Sequence, residues 1–261
     1  MAFVPLARLT VADYVRQPVV WLMTGLSLLL IGLSYLFGQF NFETQDRVRM
    51  LCTAGVAVGM VNGLFLAVIG ASQSVHDELA SRTALTLFAK PLGRGSFLFG
   101  KAFGIWLTVA ASGLVVALAH LASLKYALFT GFESDPSRRD FVGREDLWVP
   151  WGAVIAAHGL GLAHSAVMAC VSTVLALRLP LVANILVSFG LFVGGHLLAG
   201  MGAMGAVVVP ALALYNLDDS IQLPGHPLSL GYVGLTTLYT VLYCAGCLFT
   251  GLALFKRQDI A

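Results

Sequence analysis

The chain has 261 residues, 58% of them hydrophobic and only 11% charged, with a mean hydropathy of +0.87 and a formal net charge of +2. Soluble domains carry about 25% charged residues, so this composition describes an integral membrane protein and excludes an ordinary soluble enzyme.

The first 18 residues are expected to form an interfacial helix. Val4, Ala7, Val11, Tyr14 and Val15 fall at helical spacing, while Arg8, Asp13, Arg16 and Gln17 turn elsewhere. Pro18 suits the first turn of the next helix, where its missing N–H costs nothing. Six runs then reach the roughly 20 apolar residues that a bilayer crossing needs. They are Val19–Phe37, Leu51–Ala71, Ala102–Leu124, Val149–Leu177, Leu181–Met204 and Leu228–Phe255. None contains an acidic or basic side chain, and one such charge at mid-bilayer would cost roughly 2.5–3.5 kcal/mol. Runs of this length satisfy their backbone groups internally as helices, whereas barrel strands are about 10 residues long with alternating polarity. The expected fold is therefore an all-α integral membrane protein: one transmembrane domain over residues 1–261, with six transmembrane helices. The first run follows 18 structured residues and exceeds a signal-peptide core, so it reads as a span rather than a cleavable leader.

The connections differ in character. Gly38–Met50 is a short link, and Lys125–Trp148 is longer and mixed in charge, with Trp148 and Trp151 as interfacial anchors. Arg178, Leu179 and Pro180 make a tight turn, so the fourth and fifth spans are antiparallel neighbours. Residues 205–227 stay apolar through Ala206–Leu217 and include Pro210, Pro224 and Pro227. That pattern suits a short re-entrant or surface-lying helix before the last span. Gly55, Gly59 and Gly63 recur every four residues, as do Gly190 and Gly194, with Gly195 beside them. Such spacings let helix backbones approach closely. The first set reads as packing inside one bundle, and the second as a dimer contact.

Residues 72–101 stand apart as a charged stretch between two apolar spans. Leu79, Thr83 and Leu87 repeat at four-residue spacing, with Ser74 or Ser81 as caps. Asp77 and Glu78 come early and Lys90 late, as the helix dipole favours. Pro91 stops the helix, and Gly93, Arg94 and Gly95 make a turn. A short amphipathic helix on the membrane face is expected here. With six spans both termini share a side, and that side holds Arg8, Arg16, Arg82, Lys90, Arg94, Lys101, Arg178, Lys256 and Arg257. The other holds Arg47, Arg49, Lys125, Arg138, Arg139 and Arg144. The basic excess places both termini, and the charged stretch with them, in the cytoplasm.

Several chemistries find no motif. Gly100-Lys101 is followed by Ala102, so there is no phosphate loop. His164 and Ser165 are adjacent and lie on different helical faces, without a strained nucleophile turn, and His-Glu-x-x-His is absent. Cys244 and Cys247 have redox spacing, but mid-span they lack the βαβ setting of a redox motif and read, like Cys52 and Cys170, as buried thiols. Charge-free spans also argue against an ion-coupled transporter. His120, His158, His164 and His196 lie in or near spans. They support an alternative, a membrane-embedded metal- or haem-handling protein or enzyme, alongside a plain hydrogen-bonding role.

Glu78, Arg82-Thr83, Lys90-Pro91, Arg94 and Gly100-Lys101 resemble the cytoplasmic-loop signature of type-two ABC exporter permeases. The similarity runs over the whole chain, from the N-terminal interfacial helix to the closing Phe255-Lys256-Arg257-Gln258-Asp259, where Gln258 stands in a position often occupied by Arg. The nearest group is the permeases linked to multicopper-enzyme maturation and gliding-type exporters. The resemblance implies a non-catalytic permease subunit in a bacterial cytoplasmic (inner) membrane. It implies a second permease copy or homologous permease, and two separate ATPase subunits that bind ATP and Mg. It also allows a periplasmic or accessory subunit, and no nucleic-acid partner is expected. By matching position, Asp77, Glu78, Arg82 and Thr83 would form the ATPase-coupling region, with Lys90 and Arg94 nearer the membrane. No cofactor is expected in the chain itself.

Overall fold

The computed structural model describes residues 3–37, 44–80, 93–130, 148–197, 209–223 and 228–256. Where the sequence has long apolar runs without Pro, the backbone closes its hydrogen bonds within each segment, and every long element is an α-helix. In chain order these are α1 (Phe3–Val15), α2 (Pro18–Phe37), α3 (Thr44–Ala80), α4 (Arg94–Thr130), α5 (Trp151–Leu175) and α6 (Leu181–Leu197). A 3-10 turn at Leu212–Tyr215, a one-turn helix α7 (Asp218–Gln222) and the long α8 (Leu230–Lys256) follow.

Among the described residues, five helices are long and apolar enough to cross a membrane: α2, α3, α4, α5 and α8. The protein is a helical membrane protein on that ground. The fifth expected run, Leu181–Met204, contributes the 17-residue α6, and its remainder lies outside the described residues.

Helices α3, α4 and α5 pack against one another and form the centre. Helix α2 lies against α3 and α4, α6 against α3 and α5, and α8 against α5 and α4. The outer faces of α2, α6 and α8 carry exposed Leu, Val, Phe and Trp, the surface that lipid tails tolerate without cost.

The charged stretch differs from its expected form. Helix α3 continues without a break through Ser74, Asp77 and Glu78 to Ala80, and α4 begins at Arg94. No Pro or Gly intervenes between Ala71 and Ala80, so the helix propagates past its apolar run. Ser74 is consequently mid-helix, not a cap, and Arg94 and Gly95 are helical, not a turn. Both helices have 37 residues. At 1.5 Å per residue each is about 55 Å long, against about 30 Å of bilayer hydrocarbon. They extend beyond the apolar slab as stalks. Asp77, Glu78 and Leu79 of the expected short helix therefore belong to α3, and its remainder, with the stop at Pro91, lies outside the described residues.

Helix α1 also departs in part from its predicted stripe. Leu6, Ala7, Thr10 and Tyr14 are buried, whereas Val4 is exposed. The buried face is set by a neighbour: α1 lies along α4.

The segment before the last span folds back into the bundle. Leu212, Tyr215, Leu217 and Ile221 join the main apolar core. Tyr215 and Thr240 share a hydroxyl hydrogen bond of 2.8 Å, Tyr232 donates to the Leu214 carbonyl at 2.7 Å, and the Ala211 N–H donates to the Tyr239 hydroxyl at 2.9 Å. Tyr232 and Tyr239 thereby partner the backbone of a segment too short to satisfy itself.

Candidate functional site

One end of the bundle gathers α1, the end of α3, the start of α4 and the end of α8 around a second apolar cluster that includes Leu6, Val75, Phe97, Leu98 and Phe255. Helix α1 enters because α4 presents glycine. A Cβ on Gly104 would lie 2.8 Å from the Ala7 carbonyl oxygen, so only glycine allows this approach. The Tyr14 hydroxyl donates to the Leu66 carbonyl at 2.6 Å and its ring covers Gly70 on α3. Burial holds the Tyr14 pKa above the ordinary tyrosine value, so the hydroxyl stays a donor.

Charged residues complete this end. Lys101, in the second turn of α4, is buried and forms an ion pair with Glu78 near the end of α3. Its ammonium also donates to the Ser74 hydroxyl at 2.8 Å. Arg94, the first residue of α4, donates to the Phe255 carbonyl at 2.8 Å and the Lys256 carbonyl at 3.0 Å, and lies 5.5 Å from the Phe255 ring centroid. The last carbonyls of a helix lack intrahelical partners and carry partial negative charge; Arg94 satisfies those of α8. The two helices that flank residues 81–92 are thus tied to each other by Glu78–Lys101, and α4 is tied to α8 by Arg94.

The sequence-predicted residues separate accordingly. Asp77 is exposed on the α3 stalk. Glu78 pairs with the buried Lys101, whose ammonium would be costly to leave unpaired. Arg94 binds the end of α8. Arg82, Thr83 and Lys90 lie outside the described residues. Gly190 and Gly194 face open space, while Gly195 packs against the Pro210 carbonyl and Leu212, within the chain.

The four histidines form two pairs. His120 Nε2 lies 3.0 Å from the Leu51 carbonyl, and His120 Nδ1 lies 2.8 Å from His158 Nε2. The carbonyl can only accept, so His120 carries its proton on Nε2 and accepts from His158 through Nδ1. His164 is fully buried with its ring near Phe192, His196 and Tyr215, and His196 lies 3.0 Å from the Phe192 carbonyl. Among the described residues, neither His164 nitrogen has a hydrogen-bond partner. Among the described residues no three His, Cys, Asp or Glu side chains converge as metal ligands.

Two polar junctions were missed from sequence. Asn62 donates to Ser112 at 3.0 Å, which shares a 2.6 Å bond with Thr24, linking α3, α4 and α2. Asn184 donates to Ser72 at 2.8 Å and to the Ser172 carbonyl at 3.1 Å, linking α6, α3 and α5. An Asn inside each of two apolar runs was the available signal, since a buried amide requires partners. Comparison with known proteins finds no matching family model and no matching curated protein.

Proposed function

We propose that this chain is the permease subunit of an ATP-driven ABC exporter, working with separate ATPase subunits and a second permease copy. In this reading both termini and residues 72–101 face the cytoplasm of a bacterial cell, and the ATPase docks at the joined end of the bundle. One observation carries the proposal. The signature residues that are described, Glu78, Arg94 and Lys101, occupy the ends of α3 and α4 and tie them to each other and to α8. A device that turns motion of a cytoplasmic ATPase into motion of spans needs such a junction between the docking segment and the bundle. The charge-free spans leave energy supply to a partner.

Affinity purification from the native membrane tests this. An ATPase subunit with a phosphate loop is expected to co-purify. Asp77→Arg combined with Arg82→Glu is expected to lower its recovery at least fivefold without altering the thermal stability of the permease. A preparation that brings down no ATPase refutes the proposal.

A further inference from the structure

Helices α2 and α4 pack together but leave an apolar groove of about 740 Å³ open to the side of the bundle. Its inner part is lined by Leu28, Leu29, Ile31 and Ala119, with Gly32 in the wall. Its outer part carries Tyr35 and Tyr126, whose rings stand 5.4 Å apart, and the Tyr35 hydroxyl shares a 3.1 Å bond with Thr130. Lys125, exposed, follows the lining residue Ala122 by three positions and directly precedes Tyr126 on α4, and no carboxylate among the described residues pairs with it. We propose that this groove is a binding site for one anionic phospholipid, its acyl chain along α2 and α4 and its phosphate at Lys125 and the tyrosines.

Two features select that occupant. The groove lies along helices of membrane-spanning length and composition, so hydrocarbon chains are what it meets. Polarity rises from Leu28 and Ala119 to Tyr35 and Tyr126, with Lys125 next to Tyr126 in the chain, which matches a lipid's tail-to-head order and offers an aromatic and a basic anchor for a headgroup. The proposal rests on membrane embedding alone and stands apart from the permease reading.

The groove can be filled without disturbing the fold. A Cβ added to Gly32 meets no atom within 4 Å, and Ala122 is an exposed lining residue. The test is native mass spectrometry of the full chain in mild detergent, titrated with phosphatidylglycerol or phosphatidylcholine. Wild type is expected to retain one phosphatidylglycerol more tightly than phosphatidylcholine. Gly32→Phe and, independently, Ala122→Leu are expected to reduce that adduct at least fivefold with unchanged thermal stability. Lys125→Glu is expected to abolish the preference for the anionic lipid. Equal retention in wild type and both filled variants overturns the site, as does efficient Gly32→Cys disulfide cross-linking between two copies, which would give the groove to a partner helix.

Discussion

Removing Glu78 should damage the protein more than removing Lys101, and removing both should damage it less than the sum. The side chain of Lys101 is 3% exposed and that of Glu78 is 19% exposed. Breaking a buried ion pair from one side costs about 3–5 kcal/mol, because the remaining charge is left desolvated. Glu78→Leu strands an ammonium that retains only the Ser74 hydroxyl, so about 3 kcal/mol is expected, the low end of that range. Lys101→Met removes the ammonium from a carboxylate that water partly reaches, so about 2 kcal/mol is expected after screening. The double variant replaces the pair with apolar groups and should cost about 2 kcal/mol, which makes the coupling about 3 kcal/mol. Reversible unfolding in mixed micelles with added dodecyl sulfate, followed by tryptophan fluorescence, measures all three. Single effects that add to within about 0.5 kcal/mol would refute an ion pair here.

Three further variants test the packing. Gly55→Ala places a methyl group on the His120 ring, which its bonds to Leu51 and His158 hold in place, so about 1–3 kcal/mol of overpacking is expected. Gly190→Ala, which meets no atom within 4 Å, should stay within about 0.5 kcal/mol of wild type in the same titration, and equal effects would contradict the packing described. Tyr14→Phe deletes the 2.6 Å bond to the Leu66 carbonyl and should cost about 1 kcal/mol. Amide exchange in α1 should then quicken about fivefold, and unchanged exchange would show that α1 is not held by this bond.

Much of the bundle was legible because lipid burial imposes a simple rule. A run of about 20 residues without charge has one backbone solution, the helix. The starts and ends were less legible. The apolar run that stops at Ala71 says where lipid contact ends, but the helix continues through Ser74 and Glu78 to Ala80, with no Pro or Gly to stop it on the way. For the same reason Arg94 and Gly95 read as a turn yet begin α4. The glycine spacings show the other limit. Gly55, Gly59, Gly190 and Gly194 look alike in sequence, but the first two abut His120 and His158 and the last two face open space. Periodicity reports which residues share a face, not what lies opposite.

The sequence by itself determined that this is a helical membrane protein, since composition and run length follow from the local chemistry of each segment. Only the tertiary structure decided the partners of its few polar and charged groups. Glu78 and Lys101 are 23 positions apart, and Arg94 and Phe255 are 161 apart. No local pattern encodes such a meeting. It arises when packed helices bring desolvated charges to the same end of the bundle, where each requires the other.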